Sequence, residues 1–360
     1  MSPSPRDCVI GFVWSELLET FDFGPKHPIQ PGRFRGVHDY FRKCGFLDLP
    51  NVSVIPPLPL KQEELEEIHS SEYLSKVRNI SDTGEGDIDI DTPGFKGIYD
   101  HASMTSGATV TGVRSVVSGE ADHFVSPTGG FHHAKYAYGG GFCIFNDLAA
   151  GVSELKRAGF KRVLIADFDV HHGNGTQEYY YSDHEVMQIS FHEDPEWMFP
   201  HDGYIDDVGE GDGIGYNINM PFPMDSGDAV YRYAFDELVP PLIEFYEPDF
   251  ILFLPGIDAH YKDLLAHLVL TTDTIKYVAE TIHGEAHKYC QGRMGVLAGG
   301  GYHRESFKSG MAVVMSVLSG HPYKPPAQSP PFEDDEETWE EVRTNVNKVK
   351  DCVFSELGIS

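Results

Sequence analysis

The sequence predicts an α/β protein whose central, mainly parallel sheet carries helices on both faces. Two observations point to this. Short apolar, β-branched runs alternate with longer helical patterns along most of the chain, as in strands joined by crossover helices. Several of these runs end in clusters of Asp, His and Gly, at the sheet edge where open α/β folds gather their ligands. With 360 residues, 41% of them hydrophobic, there is ample material for one large core or two smaller ones.

Taken in order, residues 8–14 read as the first strand, and the loop 21–31 is broken by prolines. A helix over 33–44 is stopped by Gly45, and 52–55 is a second short strand. Residues 61–77 read as helical in two pieces, with Ser70 and Ser71 as candidate caps. Residues 83–93, with Glu85, Asp87, Asp89 and Asp91, read as an acidic loop too polar for the core. A small-residue helix over 98–118 precedes a strand over 122–126. The loop Gly129-Gly-Phe-His-His-Ala134 and the stretch Gly139-Gly-Gly-Phe-Cys-Ile-Phe-Asn-Asp147 then lead into a helix to about Arg157. Strands follow over 163–166, 186–191 and about 216–220. A helix over 228–246 is expected to kink at Pro240-Pro241. Strands over 250–254 and 294–297 alternate with helices over 273–290 and 305–318. Residues 1–321 read as one domain, 322–332 as a Pro-rich linker and 333–360 as a C-terminal helical extension. In that extension Trp339, Val342, Val346, Val349, Val353 and Leu357 recur at helical spacing, a stripe expected to pack on its own domain.

The net charge is −29, from 56 acidic and 27 basic residues. Such a chain is repelled by phosphate backbones and anionic lipid, so nucleic acid and membrane surfaces are not expected partners; cationic substrates are attracted. Five cysteines without paired spacing suggest reduced thiols in a cytoplasm. No signal peptide and no bilayer-length apolar run is evident.

The chemistry gathers at strand ends. The run Val163-Leu-Ile-Ala ends in Asp167, Asp169, His171 and His172. By strand alternation Asp167, Asp169 and His171 would face one side, where they require a cation to offset their mutual repulsion and desolvation. Asp258 closes a second apolar strand and could stand beside Asp169 and His171, although alone it reads equally well as a helix cap. Three protein ligands and an open position make the pattern of a catalytic zinc site. In the pair His132-His133, one ring could act as a base and the other be held in a hydrogen bond, with Asp167 and Asn174 as orienting partners. Tyr302, after three glycines, could lean into a cavity and donate to an oxyanion, or simply plug its loop.

These motifs, together with Gly141-Phe-Cys, Asn146-Asp147, Asp167-x-Asp-x-His-His-Gly-Asn-Gly-Thr-Gln, Gly256-x-Asp258 and Gly299-Gly-Gly-Tyr302, resemble the histone deacetylase superfamily from about residue 25 to 318. That group includes acetoin-utilisation proteins, class II-like deacetylases and acetylpolyamine amidohydrolases. The resemblance implies an arginase-like α/β fold and one Zn²⁺ or Fe²⁺ held by Asp169, His171 and Asp258. It implies His132 paired with Asp167, and His133 with Asn174. It places Gly141, Phe142 and Phe199 along the channel for an acyl-lysine stem, Asp91 at the rim gripping substrate backbone, and Arg33 behind the metal where acetate leaves. It also implies a structural K⁺ on carbonyls of Asp167, Asp169, His171, Ser190 and Phe191. Leu265 stands where polyamine-selective members carry an acidic gatekeeper. Two stretches depart from many class II members, Pro127-Thr-Gly-Gly-Phe before the His pair and Asp263-Leu-Leu after the metal Asp.

The expected activity is metal-assisted amide hydrolysis on an acylated lysine peptide or protein, with a small acetylated amine as alternative substrate. A ureohydrolase of the same fold would need a second Asp-x-His-x-Asp segment, which is absent. A catalytically inactive acyl-lysine reader would not need Tyr302 and the His pair.

Overall fold

The computed structural model describes residues 8–359, so positions 1–7 and 360 of the expected domain and extension lie outside the described residues. Among the described residues ten strands are formed: β1 (Ile10–Val13), β2 (Val52–Ile55), β3 (Asp87–Asp89), β4 (Thr92–Pro93), β5 (His123–Ser126), β6 (Val163–Asp167), β7 (Val186–Glu193), β8 (Asn217–Phe222), β9 (Phe250–Leu254) and β10 (Met294–Leu297). Eight of them make one sheet in the order β2-β1-β5-β10-β9-β6-β7-β8. Every pairing within it is parallel. The interior strands are buried along their whole length, β6 as Val-Leu-Ile-Ala-Asp and β9 as Phe-Ile-Leu-Phe-Leu. Such unbroken apolar runs are what a sheet covered on both faces requires.

The covering helices are α1 (Arg33–Lys43), α2 (Gln62–Ile68), α3 (Ser71–Thr83), α4 (Ile98–Val117), α5 (Asp147–Arg157), α6 (Asn174–Tyr180), α7 (Asp228–Tyr246), α8 (Thr272–Tyr289), α9 (Arg304–Ser319) and α10 (Glu336–Val349). Ser70 caps α3 by accepting from Tyr73 N, as its position suggested. Pro240 and Pro241 lie inside α7, where each removes a backbone donor. The acidic stretch 83–93 departs from the loop expected of it. It holds the antiparallel pair β3 and β4, because Ile88 and Thr92 turn inward and are buried while Asp87 and Asp89 face out.

Residues 322–332 carry no regular structure. They are nevertheless tethered, since Thr272 N donates to Gln328 Oε1 at 2.8 Å. Just beyond them Asp334 accepts from Gly227, Ala229 and Val230 N, which satisfies the first donors of α7. On α10 and the turn after it, Val342, Val346, Val349 and Val353 are buried in the main core. Asn345 Nδ2 donates to Pro221 O on β8 at 3.2 Å.

Candidate metal and catalytic site

The site lies beyond the carboxyl ends of β6, β9 and β10. Strand β6 ends at Asp167, so alternation does not carry through His171 as expected. Two successive side-chain turns replace it: Asp167 Oδ1 accepts from Asp169 N at 3.1 Å, and Asp169 Oδ1 from His171 N at 3.0 Å. These turns part the two jobs. Asp167 faces His132, while Asp169 and His171 face Asp258.

Asp258 does not close its strand. It sits in a single 3₁₀ turn, Ile257–Ala259, entered through Gly256 at φ +68°, where a Cβ would overlap Phe168 O. His171 Nδ1 is 3.0 Å from Asp169 Oδ1 and 3.3 Å from Asp258 Oδ2. The remaining oxygens rest on backbone: Val170 N donates to Asp258 Oδ1 at 3.0 Å and Gly300 N to Asp169 Oδ2 at 2.6 Å. All three side chains are buried. Burial pulls the His171 imidazole down, but the two carboxylates outweigh it and raise it to about 10. The pair therefore draws a positive charge into a place that water barely reaches. A donor atom from each of the three residues lies within 4.8 Å of the others. A Cβ at Gly300 would overlap Asp258 Oδ2, so the loop carrying Tyr302 passes the carboxylates only because it has no side chain there. Two hard oxygens and one imidazole around a shielded point fit a divalent cation of the zinc or ferrous class.

Beside this cluster the two histidines take different roles. His132 Nδ1 donates to Asp167 Oδ2 at 2.7 Å. Burial lowers the His132 ring, yet Asp167 and Asp169 overcome it and raise it to about 9. His133 Nδ1 donates to the neutral acceptor Asn174 Oδ1 at 2.9 Å. Burial, then His132 and His171, push His133 well below the usual histidine range. The two Nε2 atoms stand 3.2 Å apart at the same cleft. The surroundings thus set the two rings apart, with His132 favouring a proton and His133 disfavouring one. Tyr302 leans over from the opposite side, its ring 6.3 Å from that of His171. Burial and the neighbouring carboxylates Asp169 and Asp258 keep its phenol protonated.

This geometry coincides with a sequence relation: the model of the histone deacetylase domain matches residues 27–318. The chain belongs to the histone deacetylase family. Within that family it is 33% identical over 297 residues to a probable deacetylase of Archaeoglobus fulgidus, covering 82% of this chain and 81% of the relative. It is 33% identical over 305 residues to the acetoin utilization protein AcuC of Bacillus subtilis, covering 82% and 78%. A histone deacetylase-like amidohydrolase of Pseudomonas aeruginosa is 34% identical over 268 residues, covering 73% and 69%. The crystal structure of the HDA15 HD domain superposes with a TM-score of 0.85 at 26% identity, over 98% of this chain and 97% of that one. The arginase/deacetylase-like α/β fold expected from the sequence is therefore the fold observed.

The other family positions fall around this centre. Arg33 donates to Gly301 O at 3.2 Å and Gly299 O at 2.8 Å, with its guanidinium 3.9 Å above the Phe307 ring. Together with Phe142, Tyr302 and the His pair it lines the cleft. Asp91 Oδ1 accepts from Gly141 N at 3.0 Å. Gly141 and Phe142 both have positive φ, and a Cβ at Gly141 would strike the His133 ring. The Phe142 ring stands 5.8 Å from Tyr302, and the Phe199 ring 5.0 Å from His133. Asp167 and Ser190 are register partners in β6 and β7, with Phe191 next to Ser190. Leu265 is half-buried on the loop after Asp258 and does not line the cleft floor.

Three supporting residues had no role from sequence. Asp147 accepts from Phe131 N at 2.6 Å, Gly130 N at 3.0 Å and the Thr109 hydroxyl at 2.5 Å, and so fixes the loop before the His pair. Asp263 Oδ2 accepts from Tyr302 N at 2.7 Å. Thr92 Oγ1 accepts from Phe142 N at 2.9 Å. Adjacency to Asn146 and the Asp-Leu-Leu departure marked two of these positions without revealing what they hold.

Proposed function

We propose that this chain is a metal-dependent hydrolase that removes acetyl or acyl groups from the ε-amine of lysine. The observation that carries the proposal is the placement of His133, which donates to the neutral Asn174, and of Tyr302 around the buried Asp169–His171–Asp258 cluster. Asp169, His171 and Asp258 would hold one Zn²⁺ or Fe²⁺. When bound, such an ion supplies a Lewis acid for the acyl carbonyl and acidifies the attacking water.

The protein groups do the rest. His133 Nε2 takes the proton of the attacking water and returns it to the leaving amine; His132, kept charged by Asp167, cannot take that proton. Its charge instead steadies the negative charge that builds up nearby. The Tyr302 hydroxyl donates to the tetrahedral oxyanion. Phe142 and Phe199 flank the alkyl stem at Gly141, and Asp91 meets the substrate backbone at the rim. Arg33 receives the acetate end. A structural K⁺ on carbonyls of Asp167, Asp169, His171, Ser190 and Phe191 belongs to the same reading, supported by the side-by-side placement of Asp167 and Ser190. Residues 1–321 form the catalytic unit, with 322–332 as linker and 333–360 as an extension. A cytoplasmic setting is in keeping with the absence of disulfides among the described residues. No helix among those residues is long and apolar enough to cross a membrane.

A second reading, a small acetylated polyamine as substrate, is favoured by one feature. Asp89 lies against Gly140, one residue from Gly141, and brings an exposed carboxylate to the rim. Turnover of an acetyl-lysine peptide, a trifluoroacetyl-lysine peptide, acetylputrescine and acetylspermidine by the metal-loaded protein separates the two. Faster turnover of the peptides supports the lysine reading, and faster turnover of the polyamines replaces it. No hydrolysis of any of them, with one ion bound at Asp258, refutes the enzyme.

A further inference from the structure

A second set of ligand-type side chains lies at the opposite edge of the sheet. Cys8 precedes β1, and His123 opens the neighbouring strand β5, where it pairs in register with Ile10. His283 and His287 are one turn apart on α8, so both project from one face. Their donor atoms converge. His123 Nε2 is 3.1 Å from His283 Nε2, which is 3.0 Å from His287 Nε2. Cys8 Sγ is 3.5 Å from His287 Nε2. A donor atom from each of the four residues lies within 4.8 Å of the others, and all but the half-buried His287 are buried.

Hydrogen bonding among the rings does not explain this arrangement. Three charged imidazoles cannot share so small a buried space, so the rings are neutral. A neutral imidazole nitrogen carries either one hydrogen or one lone pair. His283 Nε2 meets two other Nε2 atoms, and so can satisfy only one of them. A central cation reverses the conflict, because every Nε2 then offers its lone pair to the same point. The spacing agrees. Zn–N bonds of about 2.0–2.1 Å and Zn–S bonds of about 2.3 Å give a tetrahedron with edges of roughly 3.3 Å between nitrogens and about 3.6 Å from sulfur to nitrogen. Gly292 closes the site, since a Cβ there would press to 3.0 Å from His287 and 3.4 Å from His123.

We propose that Cys8, His123, His283 and His287 form a structural tetrahedral site for a zinc-class divalent ion, separate from the Asp169–His171–Asp258 centre. Four protein ligands leave no open position, so the ion does no chemistry. It ties the lead into β1 to the far end of α8, joining Cys8 and His287 at a sequence separation of 279.

The full chain, stripped of metal and reloaded with Co²⁺, tests this. Thiolate ligation gives a sulfur-to-cobalt charge-transfer band, which a centre of two carboxylates and one imidazole cannot produce. Wild type is expected to bind two Co²⁺ per chain and show the band. Asp258→Ala should lose one ion and keep the band. Cys8→Ser should lose the band, and His283→Asn should lose the band and one ion. Absence of the band from reloaded wild type, which needs no variant to fold, overturns the proposal. Persistence of the band in soluble Cys8→Ser overturns it as well.

Discussion

The substitution Asp147→Asn removes a charge and one oxygen while keeping shape. In the protein the Asp147 Oδ2 accepts from Thr109 and Gly130 N, and its Oδ1 from Phe131 N. The new amide would turn to sacrifice the fewest bonds. Its oxygen would keep Thr109 and Gly130, and its NH₂ would confront the Phe131 N–H. One bond to a charged acceptor is then lost, at about 1.5–3 kcal/mol, with a donor left facing a donor. Burial already holds the Asp147 carboxyl above its usual range, and the neutral amide recovers part of that cost, so roughly 1–2 kcal/mol is expected. The loop 129–131 runs straight into His132 and His133, so a displacement there moves the base. A shift of about 1 Å in catalytic groups costs on the order of 10²-fold in rate. Urea unfolding should therefore show a loss of roughly 1–2 kcal/mol. Steady-state kinetics on the proposed acyl-lysine substrate should show kcat reduced by about 10²-fold with one ion still bound at the catalytic centre. Wild-type stability together with wild-type kcat would refute the claim that this carboxylate positions the His pair.

Tyr302→Phe should lower kcat by about 10²–10³-fold while KM and metal content stay unchanged, because its hydrogen bond is made in the transition state; an unaltered kcat would return Tyr302 to a packing role. Leu265→Glu should shift selectivity from acetyl-lysine peptide toward acetylspermidine by roughly 1–3 kcal/mol, the worth of a charge-assisted contact. The kcat/KM ratio of the two substrates measures this. Stability should also fall in acid through His69, which accepts from Asn146 N at 3.1 Å and is lowered by burial to about 4. The unfolded chain takes up that proton first, so this contribution is complete above about pH 6.5 and is lost as the pH drops toward 4, by roughly 3 kcal/mol. Urea midpoints between pH 7.5 and 4.5 should fall less steeply for His69→Gln than for wild type, and equal slopes would remove His69 from the account.

Much of the fold is legible because buried parallel strands announce themselves. Runs such as Val163-Leu-Ile-Ala and Phe250-Ile-Leu-Phe-Leu are short, β-branched or aromatic and bounded by polar or turn residues, as strands covered on both faces are. The positions of the candidate ligands are legible through motif, but the reason they converge is not. Alternation predicts Asp167 aligned with Asp169 and His171, whereas side-chain turns separate them, and the N–H that each carboxylate accepts is set by the folded backbone. The stretch 83–93 reads as a loop because its net polarity hides two inward residues, Ile88 and Thr92. Asp147, Asp263 and the Cys8–His123–His283–His287 group depend on contacts between distant segments. Only the His-x-x-x-His spacing of 283 and 287 leaves a local trace of the last of these.

The contact between α10 and β8 bears on how this molecule avoids sticking to itself. Strand β8 is the last of its sheet, and a bare terminal strand invites another chain to pair with it. Here Pro221 withholds one N–H from that border, and the carbonyl of the same residue is taken by Asn345. The C-terminal helix thus works as a guard rail. Removing it would expose a ready template for intermolecular β-pairing, so its loss would surface as aggregation before it surfaced as altered catalysis.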